Sequence, residues 1–152
     1  MAGFTYDTPT ELTQELNQLG ELDNWAPDIL AEGGRILKEA IVKELDAVIG
    51  YTTLARLQNR DFPSGELRRS VTLTRARKHK NGVWSISIRF RGDDPVTGVS
   101  NHDKAFYLNY GTRRQPARPF MSVALTKSKN EIENAMREKF NRLIIWNKIT
   151  GG

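Results

Sequence analysis

Apolar positions change period along the chain, and each change marks an element. Leu12, Leu16 and Leu19 recur at i, i+4 and i+7 behind Thr8, Pro9 and Glu11, which form a capping box with proline at the first helical position. Gly20 follows as a left-handed stop, so the pattern predicts a short amphipathic helix over 8–20. A longer stripe of Ile29, Leu30, Ile36, Leu37, Ala40, Ile41, Leu45 and Val48 predicts a helix from Pro27 to Ile49, ended by Gly50. Within it, Gly33 and Gly34 each cost about 1 kcal/mol relative to alanine, which predicts a close backbone contact or a bend. From Tyr51 to Asp61 the spacing is ambiguous, and a loop with one helical turn is expected.

The period then shortens to two. Val71 and Leu73 alternate with Ser70, Thr72 and Thr74, and Trp84, Ile86, Ile88 and Phe90 alternate with Ser85, Ser87, Arg89 and Arg91. Asn81-Gly82 between them predicts a β-hairpin with one apolar face. Gly92 to Asn101 is loop chemistry, and Lys104 to Tyr110 fits either a third sheet segment or a short helix packed on the sheet. Pro116 and Pro119 hold Arg118 in an extended stretch, and Pro119 opens a last helix running to about Trp146. Its stripe is Phe120, Met121, Ala124, Leu125, Ile132, Ala135, Met136, Phe140, Leu143 and Ile144. No internal repeat or low-complexity tract interrupts these elements.

Composition narrows the chemistry. At 152 residues with 38% hydrophobic and 27% charged positions, the chain is sized and composed for one globular core. No window approaches the apolar length of a membrane span, and the first residues lack a basic start followed by an apolar run, so synthesis in the cytosol is expected. Without cysteine there is no disulfide, thiolate nucleophile or cysteine-ligated metal. Charge is polarised: residues 1–50 carry a net −7 and the remainder +12, within a total of +5. That asymmetry suits attraction to nucleic acid or attachment between copies, or an acidic stretch folded over a basic one.

Candidate catalytic groups do not converge. His79 and His102 lack ligand-type partners at helical spacing, and no serine stands in a nucleophile elbow. Asp93 and Asp94 read first as turn residues, and Glu32-Gly33-Gly34-Arg35 lies within a helical stripe rather than after a strand. No catalytic residue, metal or cofactor is expected. The basic residues are the stronger signal: Arg68, Arg69, Arg75, Arg77, Lys78 and Lys80 cluster around the first strand, and Arg89 and Arg91 return on the second. Such a stripe fits either phosphate contacts or a solvated sheet face. A second candidate is the stretch from Gly111 and Thr112 through Arg113 and Arg114 to Arg118, Pro119 and Phe120. Gly111 is expected to supply positive φ, Arg113 and Arg114 to project from the turn, and Phe120 to be an aromatic anchor at the start of the helix. Arg118 lies at the positive end of that helix and is expected to be held by a carboxylate on this chain or a neighbour.

The order Ser64-Gly65-Glu66-Leu67-Arg68-Arg69-Ser70, a two-stranded stretch, Ala105-x-Tyr107-x-x-x-Gly111-Thr112, then Arg118-Pro119-Phe120-Met121 into a long helix resembles the tail-component family of long-tailed bacteriophages and prophages. Members are described as neck, tail-completion or minor tail proteins. This chain has Asn109 where members often carry glutamate. The resemblance covers about residues 25–146. It implies an α+β fold, an antiparallel sheet packed against a long helix in the N-terminal half and a long C-terminal helix. The expected organisation is a short helix and linker over 1–24, one domain over 25–146 and a tail over 147–152.

The implied role is structural and non-enzymatic: a ring, expected to hold six copies, that completes the neck and joins head to tail in the virion after synthesis in the host bacterial cytoplasm. Implied partners are further copies of the chain, a head-closure or connector protein, and a tail terminator or tail tube protein. Genomic DNA would pass through the ring, and no membrane is involved. Gly111, Thr112, Arg113, Arg114, Arg118 and Phe120 are the expected interface, and the loop from Gly92 to His102 is expected to order only on assembly. The alternative is a nucleic-acid-binding α+β module using the basic stripe from Arg68 to Arg91.

Overall fold

A computed structural model describes residues 4–7, 22–49, 65–95 and 97–149. The helix expected over 8–20 and the segment from Tyr51 to Asp61 lie outside the described residues. In chain order the elements are β1 (Phe4–Asp7), α1 (Leu22–Ile49), α2 (Glu66–Ser70), β2 (Val71–Leu73), β3 (Arg77–Lys78), β4 (Trp84–Phe90), α3 (Asn101–Tyr110) and α4 (Phe120–Ile149). The fold is α+β. β4 is the central strand: β1 pairs with one of its edges, antiparallel, with Tyr6 opposite Ile86, and β2 and β3 share the other edge. Lys104 to Tyr110, left open between strand and helix, is helical.

The turn between β3 and β4 is closed as Asn81-Gly82 predicts. His79 N donates to Val83 O at 2.8 Å, Gly82 N donates to His79 O at 3.0 Å, and Gly82 takes a φ of 83°. The first strand is not continuous, however. Thr74 N donates to Ser87 O, yet Arg77 lies opposite Ser85. One strand therefore advances one residue further than its partner, which is a β-bulge around Arg75 and Ala76. With a side-chain period of two, that insertion exchanges faces: Lys78 stands opposite Trp84, and Arg77 stands opposite Ser85.

The chain divides into two compact units, one of Met1–Leu37, Leu73–Ile88 and Ser128–Gly152, the other of Lys38–Thr72 and Arg89–Lys127. In the first, Ala26, Ile29, Leu30, Ile36 and Leu37 of α1 are buried along with Ile86 and Ile88 of β4 and Ile132, Met136 and Phe140 of α4. Trp25 meets Phe140 edge to face, with ring centroids 6.2 Å apart. The two consecutive glycines make the close approach possible. A β-carbon on Gly33 would sit 2.7 Å from Met136 Sδ, and one on Gly34 would sit 2.7 Å from Leu73 Cδ1. So α1 presses against α4 on one side and the sheet on the other.

In the second unit the core is built from Ile41 and Leu45 of α1, Val71, Phe90, Ala105 of α3, and Phe120, Met121 and Ala124 of α4. Phe90 and Phe120 meet edge to face at 6.1 Å. The short helix α2 starts at Gly65, whose φ of 77° suits glycine, and packs on α3.

Filling the α1–sheet contact is expected to be costly. Gly34→Val should lower stability by about 1–3 kcal/mol through overpacking against Leu73 and Ile86, read as a lower urea midpoint with unchanged slope.

Candidate functional site

Helix α3 begins with a proper cap: Ser100 is extended, and its Oγ accepts from Asp103 N at 3.1 Å. Its amphipathicity is reversed. The buried positions are Asn101, Ala105 and Asn109, four residues apart, while Phe106, Tyr107 and Tyr110 stand 45%, 48% and 57% exposed. The buried amides have work to do on neighbouring backbone. Asn101 Nδ2 donates to Arg91 O at 2.9 Å, and Asn109 Oδ1 accepts from Met121 N at 3.2 Å in the first turn of α4, one of the amides a helix leaves without an internal partner. The exposed rings pack on one another instead, Phe106 lying 4.8 Å from Tyr110 and 6.2 Å from Tyr107 between centroids.

A tight turn follows. Gly111 adopts φ 79° and ψ 172°, and a β-carbon there would lie 2.7 Å from Ala117 N. Thr112 then closes a loop: its N donates to Gln115 O at 2.8 Å, and its Oγ1 accepts from the amides of Arg114 and Gln115 at 3.2 Å each. Arg118 N returns to Leu108 O at 2.9 Å. These bonds tie the whole turn to the end of α3 and leave the Arg113 and Arg114 side chains exposed.

Two expected interface residues have internal duties. Among the described residues no carboxylate holds the Arg118 guanidinium; its Nη1 donates to Val48 O at 3.0 Å, in the last turn of α1. A cation there is favoured by the negative end of the helix dipole, so within the chain a carbonyl holds the guanidinium. Phe120 is 1% exposed and belongs to the protein's own core, leaving no surface of its side chain for another subunit. Gly111 and Thr112 shape the turn, and Arg113 and Arg114 are the residues it offers outward.

In the loop from Gly92 to His102 the described residues are hydrogen-bonded to one another. Asp93 bridges Ser100, Asp94 N donates to Val99 O at 2.9 Å, and Gly98 N donates to Asp94 O at 2.8 Å. Asp94, buried, is paired with Lys104 of α3. Its last two residues, Asn101 and His102, are the first turn of that helix.

The basic stripe is divided among different roles. Arg68 Nε meets the Asp46 carboxylate at 2.8 Å, Arg69 meets Glu66 at 3.3 Å, and Lys78 Nζ lies 2.8 Å from both oxygens of Asp23. Trp84 Nε1 also donates to Asp23 Oδ1 at 3.3 Å. Hydrogen bonds from the Lys78 ammonium, then from the Trp84 N–H, hold the Asp23 carboxyl below its ordinary range, outweighing the opposing effect of desolvation. The bulge makes this possible by bringing Lys78 round to the side of the sheet on which Trp84 stands. Arg75, Arg77 and Lys80 in the first unit, and Arg89 and Arg91 in the second, remain exposed.

His79 Nε2 shares a hydrogen bond with Ser85 Oγ at 2.6 Å, and His102 sits half-buried at the start of α3. Among the described residues, no group of three or more histidine, aspartate and glutamate side chains is placed to hold a metal ion, and no helix is long and apolar enough to cross a membrane. The aromatic face of α3 escaped the sequence reading, although its signal was present: Phe106, Tyr107 and Tyr110 have helical spacing once the segment is taken as a helix. No protein-family model, curated protein or solved structure matches the chain.

Gly111 tests the turn directly. Gly111→Ala should destabilise the protein by about 2 kcal/mol or more, since this backbone region is nearly closed to side chains and the added carbon has no room. The check is an equilibrium urea titration against the parent chain.

Proposed function

We propose that this chain is a structural, non-enzymatic subunit of the neck of a long-tailed bacteriophage, which assembles with copies of itself as a ring and helps to join head to tail. The observation that carries the reading is the stretch from Ala105 to Met121. The motif order that resembles the phage tail-component family coincides with a glycine-locked turn that holds two arginines outward beside exposed aromatic rings. Exposed aromatics and arginine are the residue types that dominate the energy of protein interfaces. A turn whose backbone is already fixed loses little further entropy on docking.

In this reading Arg113 and Arg114 contact a neighbour in the neck: another copy, a head-closure or connector protein, or a tail terminator or tail tube protein. Gly111, Thr112, Asn109 and Arg118 position them. The protein is made in the cytoplasm of the host bacterium and resides in the virion. The reading as a nucleic-acid-binding module has less behind it, because Arg68, Arg69 and Lys78 of the stripe are already engaged by Asp46, Glu66 and Asp23.

The experiment replaces Arg113→Glu and Arg114→Glu together in the phage or prophage that encodes the chain. The purified variant should keep the parent circular dichroism, because neither side chain is buried. Infectious particles should be lost while heads and tails accumulate unjoined, as seen by electron microscopy. Normal particle yield with a folded variant would remove these arginines from neck assembly.

A further inference from the structure

The exposed face of α3 has a polarity of its own. Asp103, Phe106, Tyr107 and Tyr110 follow one another at steps of three, one and three residues, which places them along a single stripe of the helix. All four are exposed. Just beyond the C-terminal end of that stripe, the Gly111 turn presents Arg113 and Arg114. Neither the Asp103 carboxylate nor either guanidinium group has a hydrogen-bond or ion-pair partner among the described residues. Along about 10 Å of helix, at about 1.5 Å per residue, the stripe runs from a carboxylate through three aromatic rings, and the two cations follow in the turn beyond the helix.

We propose that this face pairs with the same face of a second copy of the chain, α3 against α3, antiparallel about a two-fold axis. A two-fold contact requires a surface that complements its own inverse. Antiparallel pairing meets that requirement: Asp103 of each copy comes to the Arg113 and Arg114 end of the other, twice over, and the rings meet in the middle. Parallel pairing sets carboxylate against carboxylate and guanidinium against guanidinium. A partner of a single sign satisfies one end of the stripe and opposes the other. Phe106, Tyr107 and Tyr110 supply the apolar area, and the tyrosine hydroxyls remain wet at the rim. One helix face is small beside the roughly 800 Å² per partner of a standard interface, so the pair is weak and depends on concentration and salt. The inference concerns the isolated chain and stands apart from the neck reading.

A charge exchange tests it. Two full-length variants are made, Asp103→Lys and Arg113→Asp/Arg114→Asp, and each is checked for parent-like circular dichroism. Alone, each sets like charges together at both ends of the pair. Mixed, they restore both ends: the introduced lysine meets the introduced aspartates, and the untouched Asp103 meets the untouched arginines. In sedimentation equilibrium the parent chain should show a concentration-dependent dimer. Each variant alone should bind itself at least about tenfold more weakly, and the equimolar mixture should return to within about threefold of the parent. Three results would each overturn the proposal: a parent chain that stays monomeric to about 1 mM, self-association unchanged in either variant, or a mixture no tighter than the variants apart. An acidic partner of another kind would appear as the first of these.

Discussion

The arrangement around α3 depends on a missing side chain. With Ala117 N 2.7 Å from where a β-carbon would stand, and with φ at 79°, residue 111 has to be glycine for the chain to fold back here. That reversal lets Arg118 N reach Leu108 O, sets Met121 N on the Asn109 amide and carries the Arg118 guanidinium to the last turn of α1. Three elements are therefore fastened at one point, each through a backbone group that a helix end leaves open. Arg113 and Arg114 lie at the outer edge of this fastening, which explains how exposed side chains acquire a fixed origin on the surface.

Charge in this protein is used locally before it is offered to anything else. The split between an acidic first third and a basic remainder suggests long-range attraction, but part of it resolves into pairs. Lys78 and Asp23 meet within one unit, and Arg68 and Asp46 meet within the other. These pairs are exposed and contribute little stability individually. Their larger consequence is to take two cations, Lys78 and Arg68, out of the stripe that would otherwise mark a phosphate-binding face.

Most of the scaffold was legible in the sequence because burial there follows period. Ile29, Leu30, Ile36, Leu37, Ile41 and Leu45 lie on the stripe expected for a helix, and all are buried. The Gly33-Gly34 pair marked a close approach, and both glycines lie against side chains of neighbouring elements. Three features were hidden for identifiable reasons. The bulge near Arg75 depends on the register of the partner strand, which no single strand encodes. Helix α3 buries Asn101 and Asn109 and exposes its aromatics, so a reading that seeks apolar residues inside finds no helical stripe. The partner of Arg118 was missed because a helix C-terminus seventy residues away competes with carboxylates as an acceptor. Of the candidate site, the sequence located the segment; the division between Arg113 and Arg114 outside and Phe120 inside required the fold.

The central claim is that the turn after α3 is built before any partner arrives. Amide hydrogen exchange of the isolated chain measures this directly. The amides of Gly111, Thr112, Gln115 and Arg118, each donating to a backbone carbonyl, are predicted to exchange far more slowly than an unstructured chain. Exchange of all four at the unstructured rate, while the amides of α4 stay protected, would mean that the turn forms only on assembly and would contradict the account.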